Sequence, residues 1–388
     1  MMNTAGSRAS STPIVAIVDR HAWYDPAIEA GELARVAAKP VVSWAGIPDR
    51  PPQTNHGFPS GGLSREALSR ITSAFVSPSI TTEDRVIEMA GSAAGILVVR
   101  ANISAHVMDA LPRLQVIGRY GVGVDNIDTA AADERGIAVV YAPDFCTREV
   151  ADHTLMLLLA CSRKLEPLHR AMTMNTWGRD AASPMRALFG QTLGLVGFGR
   201  IAREVAARAK AFGMDVIACD PFLADRDLQR LGAAPVPIAD LLARSDFISL
   251  HLPLTAGTHH LIGQKELDRM KRSAFLINTS RGPLVDEDAL AAALERDRIA
   301  GAALDVFEVE PLPSTSPLRR LQNVLMTPHT GGLSDEAQIR ARRMVAAAMA
   351  DVLCGTWPAG PELYCPRDEA GRERARRRSF ALGSAVPR

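Results

Sequence analysis

The sequence has little that would suit a secreted, metal-binding or membrane protein. Its five cysteines lie far apart, without the paired spacing of a zinc site or a redox motif. No stretch approaches the roughly 20 apolar residues that a membrane-spanning helix needs, and residues 1–13 lack the pattern of a secretory signal. The formal net charge of +1 gives no reason to expect nucleic acid or an anionic membrane as a partner. We therefore expect a reduced, cytoplasmic protein without a bound metal.

The 388 residues are enough for two domains of ordinary size. Short runs rich in Val and Ile predict strands in the first part of the chain, at 14–19, 41–44, 96–100, 115–120 and 137–142. From residue 192 onward, strand and helix patterns alternate strictly. Such alternation is typical of a parallel sheet with helices on both faces. The predicted fold class is therefore α/β, with two lobes of flavodoxin or Rossmann type.

The predicted domain boundaries follow from these patterns. A substrate-binding domain is expected at 1–143, completed by a C-terminal helix within 329–365, and a nucleotide-binding domain at 144–328. Residues 366–388 carry an Arg-rich stretch and are expected to be disordered. The Pro- and Gly-rich segment 45–64 is interpreted as a surface excursion.

A glycine-rich motif follows the first strand of the second domain. It matches G-x-G-x-x-G/A and consists of Gly197, Phe198, Gly199, Arg200, Ile201 and Ala202. The first glycine permits a tight turn, and the second lets the backbone approach a pyrophosphate at the N-terminus of the next helix. Asp220 follows about 20 residues later, where a carboxylate binds the ribose hydroxyls and repels a 2′-phosphate. We predict a dinucleotide site that takes NAD in preference to NADP.

Four ordered stretches resemble the D-isomer-specific 2-hydroxyacid dehydrogenases. They begin at Arg119, Asn278, Ala303 and Thr327, and the resemblance extends over residues 96 to 353. The segments 144–154 and 208–222 look like the branch of that family that is similar to the C-terminal-binding proteins and to phosphoglycerate dehydrogenase. The resemblance implies the two-lobed fold, NAD as the cofactor and a small 2-hydroxy or 2-oxo acid as the substrate.

The resemblance also implies roles for individual residues. Besides the glycine motif and Asp220, the expected cofactor contacts are Val122, Thr154, His251, Pro253, Thr279, Arg281, Asp305, His329 and Gly331. The expected substrate contacts are Arg100, Val122, Gly123, Arg281 and His329. Backbone N–H groups of the Val122–Gly123 turn would bind one carboxylate oxygen. For Arg100 and for Arg119, an ion pair with a local carboxylate is an equally good explanation.

Oxidation of a 2-hydroxy acid requires a base for the hydroxyl proton and a cation for the carboxylate. His329 can accept and return a proton near neutral pH, and Arg281 can present a planar fork of N–H donors. Glu310 would orient the imidazole and stabilise its charged form. Each residue alone is better explained as an ordinary surface residue. As an ordered set behind three strands of one nucleotide-binding domain, they predict catalysis.

Two functions remain open at this point. The first is an NAD-dependent oxidoreductase that interconverts a D-2-hydroxy acid and its 2-oxo acid, with phosphoglycerate dehydrogenase as a variant. The second is an NAD-sensing interaction protein, similar to a corepressor, with slow dehydrogenase activity at most. Pure sensing needs no acid–base pair. In the transcriptional members of the branch an aromatic residue closely follows the catalytic His, whereas this chain has Gly331 and Gly332 there.

The segment 149–164 is apolar around most of its circumference, so a helix there needs cover on nearly every side. We expect a homodimer to supply that cover, because two-fold dimers are the commonest oligomers. The resemblance implies dimerisation through the nucleotide-binding lobe. The alternative is that the helix is sandwiched within a single chain.

Overall fold

The computed structural model describes residues 15–17, 27–36, 82–178, 183–358, 360–366 and 368–381. The chain divides into two compact units, at Phe145 and again at Ala337, so that the second unit is inserted into the first. These points lie two and nine residues beyond the predicted boundaries at 143 and 328. The predicted strand at 41–44 and the excursion at 45–64 lie outside the described residues.

The first unit is built on a sheet of five described strands. In spatial order they are β1 (Val15–Ile17), β2 (Gly95–Val98), β3 (Val116–Arg119), β4 (Ala138–Tyr141) and β12 (Leu363–Cys365). The first four are parallel, and β12 is antiparallel to β4, an edge strand that was not predicted. The helices of this part are α1 (Ala27–Val36), α2 (Glu83–Ala90), α3 (Ala105–Ala110) and α4 (Thr129–Glu134).

Successive residues of β2 enter different cores. Ile96 and Val98 belong to one buried cluster, and Leu97 between them belongs to another. Side chains alternate between the two faces of a strand, so both faces of this sheet are covered by apolar residues. The predicted α/β class is confirmed in this unit.

The second unit has a parallel sheet of seven described strands. In spatial order they are β11 (Val324–Met326), β10 (Gly301–Leu304), β9 (Phe275–Asn278), β8 (Phe247–Leu250), β5 (Thr192–Val196), β6 (Asp215–Cys219) and β7 (Ala234–Pro235). Its helices are α5 (Thr147–Ser162), α6 (Leu165–Thr173), α7 (Arg200–Ala211), α8 (Asp225–Arg230), α9 (Ile238–Arg244), α10 (Gln264–Leu267) and α11 (Glu287–Glu295). The long helix α12 (Asp335–Leu353) leads back to the first unit. Throughout the described ranges, no helix is long and apolar enough to cross a membrane.

Helix α5 is covered mainly by its own unit, so its apolar sequence is not by itself evidence for a dimer. Leu157 and Leu158 are fully buried in a core that also contains Leu193 and Leu195 of β5. Met156 is the large apolar residue of this helix that remains 46% exposed. Apolar residues surround this helix because it is buried within the chain. Replacing Leu158 by a charged residue would therefore test folding rather than dimerisation.

The Arg-rich tail was expected to be disordered, and this prediction is wrong for residues 369–381, which form helix α13 (Glu369–Ala381). Arg378 donates hydrogen bonds to the backbone carbonyls of Leu114, Arg135 and Pro112. Arg374 pairs with Asp133 of α4. Arginines that satisfy carbonyl and carboxylate groups of the fold stabilise a helix that composition alone describes as solvated.

We expect Arg378→Ala to lower the free energy of unfolding by about 1–3 kcal/mol, because three backbone carbonyls lose a charged donor. The matched control is Arg377→Ala. Its side chain is 79% exposed and pairs with Glu373, so we expect a change within about 0.5 kcal/mol. Urea unfolding of both variants measures the difference. Equal, negligible effects would mean that α13 does not dock on the first unit.

Candidate active site

The three predicted catalytic residues follow three neighbouring strands of the second sheet. Arg281 comes after β9, Glu310 after β10 and His329 after β11. These strands are parallel and adjacent, so their carboxyl ends meet at one edge of the sheet. Ligands of open α/β sheets bind at this edge.

His329 and Glu310 form a close pair. The Nδ1 atom of His329 lies 2.7 Å from Oε2 of Glu310, and Oε1 of Glu310 accepts a hydrogen bond from the backbone of Phe307 at 3.1 Å. A carboxylate only accepts, so Nδ1 carries the hydrogen of this bond and Nε2 is the nitrogen that can exchange a proton. The His329 side chain is 37% exposed, which leaves it accessible to a small molecule.

The segment after β9 is held against the segment after β10. The amide of Asn278 donates to the carbonyl of Arg281 at 2.8 Å, and Nη1 of Arg281 donates to the carbonyl of Ser280 at 2.7 Å. Gly282 packs so closely that a Cβ atom there would lie 1.9 Å from the carbonyl carbon of Phe307. Sequence reasoning missed the contributions of Asn278 and Gly282, although both lie in the motif that begins at Asn278.

Asp305 organises the loop that carries His329. Its carboxylate is nearly fully buried and accepts hydrogen bonds from the Thr327 hydroxyl at 2.6 Å and from the backbone N–H groups of Thr330 and Gly331 at 2.9 and 2.8 Å. Burial by itself raises the pKa of this carboxyl, but the surrounding donors lower it by more, so the net pKa lies below its ordinary value. The backbone carbonyl of Asp305 accepts from the N–H of His329 at 2.7 Å.

His153 is a residue of this network that sequence reasoning missed. Its Nε2 atom lies 3.0 Å from the Thr327 hydroxyl and 3.3 Å from Oδ1 of Asp305. The signal was present, since His153 belongs to the segment 144–154 and directly precedes Thr154. What the pattern could not reveal is that α5 passes the carboxyl end of β10.

The hydroxyl groups of Thr154 and Thr279 are hydrogen-bonded to each other. Their hydroxyl oxygens lie 2.9 Å apart, and the Thr154 hydroxyl donates to the carbonyl of Val150 at 2.7 Å. Thr154 is fully buried and Thr279 is 8% exposed. The hydroxyl of Thr154 therefore supports Thr279, and a ligand would meet Thr279 first.

The glycine motif has the backbone that its residues predict. Gly197 has φ +84°, and a Cβ atom there would lie 2.5 Å from the carbonyl oxygen of His251, so glycine is required. Gly199 has φ −72° and precedes α7, and nothing lies within 4 Å of the place a Cβ would take. Open space in front of the helix N-terminus leaves room for a pyrophosphate, as at a dinucleotide site. Arg200 begins the helix and is exposed, whereas Ile201 is half-buried.

Asp220, directly after β6, is hydrogen-bonded to the backbone of the glycine motif. One oxygen accepts from the backbone N–H of Phe198 at 2.8 Å, and the other accepts from that of Phe222 at 2.9 Å. Each carboxylate oxygen has two lone pairs, so the same group can also accept from ribose hydroxyls.

His251 follows β8 beside the glycine motif. Burial lowers the pKa of its imidazole to about 4, so the ring is neutral at pH 7. Nε2 lies 3.0 Å from the Ser249 hydroxyl, while the buried Nδ1 atom has no hydrogen-bond partner in the described part of the chain. A buried nitrogen of this kind fits a polar ligand as its partner, and the backbone carbonyl of the same residue lies beside Gly197. Pro253 follows on the surface, where its carbonyl accepts from Thr258.

The predicted residues of the first unit lie at the carboxyl edge of its own sheet. Arg100 is exposed just beyond β2, and Val122 and Gly123 follow the neighbouring strand β3. Val122 is 38% exposed. Arg119 donates from Nη1 to the carbonyl of Tyr120, a local backbone contact.

The family model for the NAD-binding domain of D-isomer specific 2-hydroxyacid dehydrogenases matches residues 155–331. A glyoxylate reductase of Korarchaeum cryptofilum is 45% identical over 248 residues, which cover 63% of this chain and 74% of the relative. The chain belongs to the D-isomer-specific 2-hydroxyacid dehydrogenase family. The range that the family model matches contains the candidate residues from the glycine motif to Gly331.

Other members of the family differ in length and in function. A D-3-phosphoglycerate dehydrogenase of Methanocaldococcus jannaschii is 44% identical over 265 residues, 68% of this chain and 50% of that protein. The chain thus spans about half the length of the phosphoglycerate dehydrogenases that it matches. The structure of D-lactate dehydrogenase from Aquifex aeolicus, complexed with NAD and lactic acid, matches with a TM-score of 0.67 and 30% identity, covering 76% of this chain and 95% of that one.

The amino-acid sequence predicts no bound metal ion for this chain. Over the part of the chain that the structure describes, no group of three His, Cys, Asp or Glu side chains is arranged to hold a metal ion.

Proposed function

We propose that the protein is an NAD-dependent oxidoreductase that interconverts a D-2-hydroxy acid and its 2-oxo acid. The pair formed by His329 and Glu310, 2.7 Å apart at a carboxyl sheet edge, is the observation that carries this proposal. The glyoxylate reductase and the D-lactate dehydrogenase to which the chain is similar support it. NAD, when bound, supplies the hydride acceptor for the C2 hydrogen.

In the oxidative direction, Nε2 of His329 takes the proton of the substrate hydroxyl. Glu310 then stabilises the resulting imidazolium through Nδ1, and in reduction the same ring returns the proton. Arg281 binds the substrate carboxylate, because a guanidinium fork matches two carboxylate oxygens. Asp305 keeps the loop of His329 in place during both directions.

The alternative, an NAD-sensing interaction protein, has less support. Sensing requires the glycine motif and Asp220 but no paired acid and base. A carboxylate hydrogen-bonded to a half-exposed imidazole is the arrangement that proton transfer needs. The pair of His329 and Glu310 therefore favours an enzyme over a protein that only senses NAD and binds a partner.

We expect the wild-type protein to oxidise NADH with at least one of glyoxylate, pyruvate, hydroxypyruvate and phenylpyruvate. His329→Ala should lower kcat roughly 10²- to 10⁴-fold, the usual size of general acid–base help, with the NADH dissociation constant within twofold. Glu310→Gln should also lower kcat, because the neutral amide no longer stabilises the imidazolium that forms when His329 takes the proton. Steady-state kinetics check both. A His329→Ala enzyme with wild-type kcat would remove this residue from the mechanism.

The cofactor is proposed to be NAD in preference to NADP. In this proposal Asp220 binds the ribose hydroxyls, and its carboxylate repels a 2′-phosphate as a like charge. Asp220→Asn removes the charge and the acceptor for Phe222 but keeps an oxygen that can accept from Phe198, so the glycine motif should stay in place. The ratio of kcat/KM for NADPH to that for NADH should rise roughly tenfold, as the loss of about 1.4 kcal/mol of repulsion predicts. A wild-type preference for NADPH would contradict the assignment of Asp220.

We also propose that the protein is a homodimer, with α6 in the interface. None of the nine residues of α6 is buried in the chain as described. Leu165 and Met172 on this helix are 59% and 57% exposed, and Trp177 and Phe189 beyond it are 80% and 82% exposed. Exposed large apolar side chains on a helix that buries none of its residues are typical of a contact with another protein chain. A second copy is the occupant that closed two-fold symmetry favours.

The dimer is tested by light scattering at micromolar concentration. The wild type should have twice the chain mass of 41.6 kDa, and Leu165→Glu should shift the mass towards the monomer. Gln264→Glu adds the same charge at an exposed position of α10 and should leave the dimer intact. A wild-type monomer that persists as concentration rises defeats the proposal.

A further inference from the structure

Within the described residues of the first unit, Glu29 of α1 and Arg342 of α12 form a buried ion pair. Nε and Nη2 of Arg342 donate to the two carboxylate oxygens of Glu29, both at 2.6 Å. The Glu29 side chain is 1% exposed and that of Arg342 is 10% exposed. The two residues are 313 positions apart in the chain, so this pair joins the two chain segments that make up the unit.

A third group completes the cluster. The Tyr120 hydroxyl donates to Oε1 of Glu29 at 2.9 Å, and Tyr120 is itself 9% exposed. A buried ion pair is on average no more stabilising than apolar residues of the same volume, because both charges lose their hydration. What such a cluster adds is a directional constraint on the groups that it binds. Here the constrained group is a tyrosine at the end of β3.

Tyr120 directly precedes the loop that contains Val122 and Gly123. The main chain at this point is already fixed on one side: the N–H of Tyr120 donates to the Val98 carbonyl at 2.9 Å, and its carbonyl accepts from Arg119. Gly121 lies under the Arg119 guanidinium, where a Cβ atom would come within 1.5 Å of Nη1. The Tyr120 ring extends to the other side and ends at Glu29.

We propose that Glu29 and Arg342 are positioning residues that act through Tyr120. They hold its hydroxyl and thereby fix the backbone N–H groups of Val122 and Gly123 for the carboxylate of a 2-oxo acid. This inference rests on the proposed function and on the family resemblance, which implies that this loop binds one carboxylate oxygen of the substrate. It extends the machinery of the reaction to the helix α1 near the beginning of the chain and to α12 near its end.

The decisive variant is Tyr120→Phe, which removes the hydroxyl but keeps the ring and the ion pair. We expect KM for the 2-oxo acid to rise roughly tenfold, the size of one lost hydrogen bond to a charged group, with the NADH dissociation constant unchanged. Tyr364→Phe is the matched control, because Tyr364 lies on β12 of the same sheet and stacks edge-on against Tyr141 at 5.3 Å. It should change none of these values.

Hydrogen exchange supplies a second measurement that does not depend on activity. The amides of Tyr120 and Gly121, which donate to the carbonyls of Val98 and Arg119, should exchange faster in Tyr120→Phe than in the wild type, and at the wild-type rate in Tyr364→Phe. Glu29→Gln, which keeps an acceptor for Tyr120 but leaves Arg342 without its counter-charge, is the variant at risk of unfolding. Tyr120→Phe avoids that risk.

The kinetic and hydrogen-exchange measurements distinguish a failure of the proposed function from a failure of the positioning role. A wild-type protein that reduces no 2-oxo acid defeats the proposed function, and exchange alone then decides whether Tyr120 holds the loop. Unchanged exchange in Tyr120→Phe overturns the positioning role whatever the activity. Faster exchange with unchanged KM in an active enzyme also overturns it, because the loop would then be ordered for a purpose other than carboxylate binding.

Discussion

The hydrogen bonds that converge on the carboxylate of Asp305 are the constraint on which the active-site edge depends. Four donors of the segment from Thr327 to Gly331 point at this one buried group. His329 lies within that segment and has φ +55°, a left-handed conformation that a non-glycine residue rarely adopts without support. Without a charged acceptor at its centre the loop would have no reason to keep this shape, and the His329–Glu310 pair would lose its geometry.

The first unit uses the same physical device at its own sheet edge. A buried carboxylate, Glu29, accepts from the tyrosine that precedes the loop of Val122 and Gly123, as Asp305 accepts from the loop that it shapes. In both units the apolar clusters on the two faces of the sheet supply the driving force for folding. The buried charges add little to that, and their role is to select one conformation of a loop.

The strands and the candidate site were predictable because parallel sheets impose a simple rule. Runs of Val and Ile identified β2, β3 and β4, and residues placed after successive strands had to meet at one edge. The contribution of His153 was not predictable, since it depends on a helix passing β10 far away in sequence. The tail helix α13 was missed because the carbonyls that Arg378 binds belong to the backbone, which no residue pattern reveals.

Gly331 illustrates how a structural requirement can resemble a functional one. Its motif and its place after His329 suggest that it was selected for contact with a cofactor. In the structure, a Cβ atom at this position would come within 2.8 Å of Oδ2 of Asp305 and 3.5 Å of the ring of His153. The small residue is therefore needed by the buried carboxylate before any ligand is considered.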